Sequence, residues 1–266
     1  MYVIAGIDGT GAYNDAEYSR HFRNSYVKQF SSNVGPPSFG HYQRGPSMEG
    51  ASTKPRGEEA ARQLVQALAP MQRKGAKVGV FLTGFSRGGA AAIWAARVLA
   101  DSKITVDAMF LFDAVDRAVG LDVDAVSPNV RSVYHARRST SAESREFFGN
   151  CGVRYHKGST VYHSKWFHCT HGAVGGTPWT SAGSDGKIYE GNTTISHGMM
   201  ILLPMPLSVL ARSQHHANKT KVTLEQEKSG SAKVFDWMSG HFEAEKQKAM
   251  LRNKYRDVAA DRSNVG

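Results

Sequence analysis

The chain has 266 residues, 41% of them hydrophobic and 21% charged, which is enough for one sizeable α/β core or two small domains. The formal net charge of +10 favours acidic partners. Without an RNA-binding signature, zinc-finger spacing or a basic–aromatic block, nucleic acid is a minor reading beside anionic lipid head groups or an acidic protein. Two cysteines, Cys151 and Cys169, exclude a disulfide scaffold, and free thiols are expected.

The segment YVIAGID, residues 2–8, is an apolar run ending in Gly and Asp, the pattern of a buried strand. No basic n-region or apolar h-region precedes it. Synthesis in the cytoplasm without a signal peptide is therefore expected, with export by a signal-independent system left open. Residues 9–30 read as loop and a helical piece. Residues 38–57 are rich in turn formers and read as loop after a short strand. From Glu58 the pattern changes: Ala61, Leu64, Val65, Leu68 and Met71 recur at helical spacing, predicting an amphipathic helix over 58–74. AKVGVFLTG, residues 76–84, is a nearly continuous apolar run of strand length. A small-residue helix is predicted over 90–100, and TVDAMFLFDAV (105–115) reads as another buried strand. NVRSVYHAR (129–137) and SKWFHCTHGAVGG (164–176) read as two more, the latter running into glycines. Continuous apolar strands alternating with helices predict an α/β fold with a mostly parallel sheet covered on both faces.

The most apolar segment, GMMILLPMPLSVLA (198–211), is too short to span a bilayer and carries Pro204 and Pro206. It reads as core or as a lipid-facing surface. Residues 211–233 are polar and read as loop or a lid-like insertion. Residues 234–259 place Trp237, Met238, Phe242 and Met250 near helical spacing, as one helix or two broken at Gly240. The expected division is a catalytic core over 1–207, with a polar loop and C-terminal helical segment over 208–266 packed on the same domain.

Gly84-Phe85-Ser86-Arg87-Gly88 has the G-x-S-x-G spacing, with a predicted strand before and a small-residue helix after. In an α/β-hydrolase that context puts the serine on a strained turn, with glycines where two backbones approach closely. The competing reading is a tight turn with an inert serine. A serine nucleophile needs a base, and the base an acid, in the chain order Ser, Asp or Glu, His. Asp113 ends a predicted strand at the edge where catalytic groups gather, and Asp116 is the second candidate. Either could instead be a helix cap or half of a surface ion pair. Of the histidines, His171 precedes the glycines, His197 is the backup, and His168 reads as a strand residue. A metal set of His163, His168, Cys169 and His171 has no supporting carboxylate or second histidine pair, so neither metal nor cofactor is expected. The oxyanion donors are expected to be the N–H of Arg87 and an N–H of Gly9 or Thr10 in the Gly-rich loop after the first strand, with Asp8 holding that loop.

Four stretches carry a family resemblance: GIDGT (6–10), GFSRGG (84–89), FDAV (112–115) and WFHCTHGAVGG (166–176). In this order they resemble the α/β-hydrolase domain of the type VI secretion lipase effectors, the Tle phospholipases. The resemblance implies a serine esterase acting on phospholipid acyl esters through Ser86, Asp113 and His171, and it favours Asp113 over Asp116. Where the family has Asp two residues after the histidine, this chain has Ala173. The family's effectors are also usually longer. The reading is thus a serine hydrolase of lipid or small esters, with an anionic membrane surface and an immunity or secretion protein as candidate partners. A soluble-ester esterase and a non-catalytic adaptor on a hydrolase scaffold are the rivals.

Overall fold

The computed structural model describes residues 1–47, 51–116, 121–146, 148–190 and 219–263, from residue 252 onward in backbone only. His197 and the apolar segment 198–211 lie outside the described residues, as does the polar stretch up to residue 218.

Six strands form the main sheet: β1 (Tyr2–Ile7), β2 (Phe39–Gln43), β3 (Gly79–Phe85), β4 (Val106–Phe112), β5 (Val130–Arg138) and β6 (Val161–Phe167). Their order is β2-β1-β3-β4-β5-β6 and every pair is parallel. A parallel sheet must be covered on both faces, which is why β1, β3 and β4 are buried along their whole length. The side chains alternate with the period of two that a strand imposes. Val3, Ala5, Ile7, Leu82, Met109 and Leu111 enter an aliphatic layer. Ile4, Phe81, Phe85, Phe110 and Phe112 enter an aromatic one.

The aliphatic layer is closed by α3 (Thr53–Arg73) and α4 (Arg87–Asp101), which present Ala60, Ala61, Leu64 and Ala91, Ala92, Ala95, Ala96. Small residues let these helices lie close to the sheet and to each other. The aromatic layer is closed by α1 (Asp15–His21), α2 (Tyr26–Ser32) and a C-terminal helix. That last helix, α6 (Leu224–Ser263), follows a single helical turn, α5 (His171–Val174), and an antiparallel pair, β7 (Lys187–Tyr189) with β8 (Lys219–Thr223). This is an α/β fold, with a parallel sheet between two layers of helices.

Several boundaries differ from expectation. α3 begins at Thr53 rather than Glu58, because Pro55 falls in its first turn, where a missing N–H costs nothing. α4 begins at Arg87, directly after Ser86, rather than at Ala90. Chain expected to be loop is strand from Lys219 and helix from Leu224. α6 runs through Gly240 without a break, since its neighbours Met238 and Phe242 are held in the aromatic layer.

Candidate active site

β3 delivers the chain to Ser86 at the C-terminal edge of the sheet. Ser86 has φ 55° and ψ −130°, a left-handed conformation that costs a non-glycine residue about 1–3 kcal/mol. The turn is that tight because α4 starts at once and must pass β1. A Cβ on Gly88 would stand 2.2 Å from the carbonyl oxygens of Ile7 and Asp8, and one on Gly84 would stand 2.4 Å from that of Gly88. Neighbouring strand ends hold the turn: Ser86 N–H donates to Phe112 O, and Val115 N–H donates to Ser86 O. Asp113 follows β4 directly and is also at positive φ, 44°.

His171 does not end a strand. β6 stops at Phe167, and His171 opens the turn α5 after Thr170 has capped it. The structure brings Ser86, Asp113 and His171 together. His171 Nε2 lies 2.9 Å from Ser86 Oγ, and His171 Nδ1 lies 2.7 Å from Asp113 Oδ2. A carboxylate at Nδ1 fixes the tautomer: Nδ1–H donates to Asp113, leaving Nε2 to accept from the Ser86 hydroxyl. The ring packs on Phe85 with centroids 4.8 Å apart and meets Phe148 edge-on at 5.5 Å. Asp113 has no exposed surface, whereas Ser86 and His171 retain 7% and 6%.

Asp113 is heavily bonded. Arg138 Nη1 donates to Oδ2 at 2.5 Å, and Asn150 Nδ2 donates to Oδ1 at 2.8 Å. Burial alone would raise its pKa, but the Arg138 guanidinium and the His171 bond outweigh it and hold the carboxyl well below the usual range. Arg138 is itself pinned, donating through Nε to Ser144 O and through Nη2 to Arg145 O and Phe148 O. Below Asp113, the Ala114 N–H donates to Nε2 of buried His135 at 3.2 Å. Burial lowers the His135 pKa to about 3, so the ring is neutral and its Nδ1–H donates to Tyr162 Oη at 2.9 Å. Sequence reasoning missed Arg138, Asn150, Ser144 and His135. Only Arg138, the last residue of β5, carried any signal, and a strand-end arginine is commonplace.

The Gly-rich loop lies beside the serine: a Cβ on Gly9 would be 3.3 Å from Ser86 Cβ. Asp8 organises it, accepting from Gly9 N–H at 2.9 Å, from Tyr42 Oη at 3.0 Å and from Ser25 Oγ. Gly9 is therefore corrected as an oxyanion donor, because its N–H is committed to Asp8. The N–H of Thr10 has no acceptor among the described residues, while its Oγ1 accepts from Arg87 Nη1 at 3.5 Å. Arg87 opens α4, where helix N–H groups point out of the N-terminal end.

The remaining candidates lie apart. His168 is past the end of β6 rather than within it, and its Nδ1 bonds Ser141 Oγ at 2.9 Å. His163 stacks on Tyr134 with centroids 5.1 Å apart, and Cys169 and Cys151 are buried free thiols. Among the described residues, no group of three His, Cys, Asp or Glu side chains is arranged to hold a metal. No described helix is long and apolar enough to cross a membrane.

No family model matches the chain, and no curated protein matches its sequence. Solved structures do. One is the Tle1 effector bound to the VgrG spike from the type VI secretion system, 17% identical over 68% of this chain and 52% of that one, with a TM-score of 0.43. Another is an uncharacterized protein from Pseudomonas aeruginosa, 13% identical over 90% of this chain and 51% of that one, with a TM-score of 0.35. The chain spans about half the length of each.

Proposed function

We propose that this chain is a serine esterase that cleaves acyl esters of phospholipids. The observation that carries the reading is the continuous hydrogen-bonded path from Ser86 Oγ through His171 to Asp113 at the C-terminal edge of a parallel sheet. Ser86 Oγ attacks the ester carbonyl while its proton passes to His171 Nε2. Asp113 stabilises the imidazolium so formed. The N–H groups of Arg87 and Thr10 receive the negative oxygen of the tetrahedral intermediate. Collapse breaks the ester bond, and His171 returns the proton to the departing alcohol. Water, deprotonated by the same nitrogen, then releases the fatty acid and restores Ser86.

The phospholipid part rests on the four motifs shared in order with the type VI lipase effectors, and on a net charge of +10 that suits an anionic lipid surface. A secretion or immunity protein as partner rests on the same resemblance.

The test is fluorophosphonate labelling of the full chain together with mass spectrometry of phospholipid vesicles exposed to it. Wild type is expected to label and to release fatty acid, with Ser86→Ala inert in both assays. Wild type and Ser86→Ala behaving alike would overturn the enzyme reading in favour of an adaptor. Labelling without vesicle turnover, and with equal rates on monomeric and aggregated short-chain esters, would replace the phospholipid with a soluble ester.

A further inference from the structure

We infer that Glu227, in the first turn of the C-terminal helix, is a positioning residue for His171 and acts through the hydroxyl of Thr170. The inference rests on the esterase reading above and names a part of that site supplied from the far end of the chain.

The start of α6 is fixed locally. Thr223-Leu224-Glu225-Gln226 forms a capping box: Thr223 N–H donates to Gln226 Oε1 at 2.9 Å, and Gln226 N–H donates to Thr223 Oγ1 at 3.3 Å. Glu227 follows directly, near the positive end of the helix dipole, with no exposed surface. Its carboxylate accepts three hydrogen bonds, all from the segment that carries His171. Thr170 N–H donates to Oε2 at 2.8 Å, Thr170 Oγ1 donates to Oε1 at 2.7 Å, and Trp179 N–H donates to Oε1 at 3.0 Å.

A hydroxyl has one proton to give. Because the Thr170 hydroxyl gives it to Glu227, its lone pairs face the Ala173 N–H, 3.3 Å away. That contact caps the turn whose first residue is His171. The helix also grips the turn elsewhere: Ser231 Oγ donates to Ala173 O at 2.8 Å, and a Cβ on Gly230 would stand 2.5 Å from Cys169 Cβ. On the other side His171 N–H donates to Ser144 Oγ, whose proton goes to Glu190 Oε1. The His171 backbone is thus fixed between two buried carboxylates, Glu190 through Ser144 and Glu227 through Thr170. A buried acid is a poor source of stability compared with an apolar residue of the same size. Three donors converging on this one from a single segment are what a device for holding geometry requires. The imidazole must keep both its Ser86 and its Asp113 bond, and a displacement of about 1 Å can lower a rate on the order of a hundredfold.

The experiment compares Glu227→Gln, Thr170→Val and Thr170→Ser in the full chain. It uses fluorophosphonate inactivation kinetics and the low-field Nδ1–H proton resonance of His171, identified by its loss in His171→Gln. Glu227→Gln and Thr170→Val are each expected to slow maximal inactivation by roughly ten- to a hundredfold with the half-saturating probe concentration unchanged. Both should shift or broaden the Nδ1–H resonance. Thr170→Ser should restore the wild-type behaviour, and the double variant should be little worse than either single one, since both break the same relay. Should Glu227→Gln fail to fold, the Thr170 pair decides. Wild-type inactivation rates and an unmoved resonance in Thr170→Val, whatever its thermal stability, would overturn the inference. If wild type itself does not label, the esterase reading falls, and the positioning role is judged on the resonance alone.

Discussion

The imidazole of His171 sits between opposed influences. Burial lowers its pKa most, the Asp113 bond and charge raise it, and Arg138 and Arg145 lower it again, for a net position below the ordinary 6.5. A neutral ring is the form that accepts the Ser86 proton. The acid limb of kcat/KM is therefore expected below pH 6.5, and a limb at or above that value would contradict the assignment. Arg138→Met removes a cation that opposes the imidazolium, so its limb should move up. It also strands Asp113, at a cost of about 3–5 kcal/mol in urea unfolding. Asp8 is the reverse case. Burial, only partly offset by Ser25, Gly9 and Tyr42, raises its pKa from 3.8 to about 7. Between those values the folded protein holds a proton that the unfolded chain has lost. Its contribution to stability is therefore complete below pH 3.8, falls as pH rises, and is gone above about 7. Asp8→Asn should remove that slope from the stability profile measured between pH 4 and 7. At this scale Ser86, Asp113 and His171 were legible because motif and chain order single them out. Arg138 and Glu227 were not, because each takes its meaning from a partner distant in sequence.

The turn from β3 into α4 is an element whose sequence and geometry constrain each other. The strained Ser86 conformation persists because β3, β1 and the Phe112–Val115 segment hold it from three sides. Gly88→Ala pushes a methyl into the Ile7 and Asp8 carbonyls, which are backbone and cannot rotate away. A loss of about 1–3 kcal/mol or more is expected by chemical denaturation, together with slower probe labelling from a displaced elbow. A variant as stable and reactive as wild type would show that the turn relaxes freely. β1, β3 and β4 were readable as apolar runs, and α4 as a run of alanines. The start of α6 was readable in principle from its capping box, but the polar residues around it suggested loop. β6 was harder, being an edge strand exposed over much of its length.

For the whole molecule, the C-terminal helix completes the aromatic layer. Val234, Met238, Phe242 and Ala249 lie along one stripe of α6 and are buried against the sheet. Phe242 stacks on Phe30 at 4.6 Å and meets Phe110 edge-on at 5.4 Å. Phe242→Ala should cost about 3–5 kcal/mol in urea unfolding while leaving the labelling rate of the folded fraction intact. A loss of less than about 1 kcal/mol would mean that the layer closes without it.

The sequence by itself determined the α/β class, the parallel sheet and the elbow, because these follow from local periodicity and from glycines where backbones must touch. Only the tertiary structure decided that Asp113 takes the imidazole Nδ1, that Gly9 gives its N–H to Asp8, and that Arg138, Glu190 and Glu227 surround the His171 turn. Hydrogen bonds and ion pairs depend on distance in space, and no spacing along the chain encodes which strand end or distant helix will supply the partner.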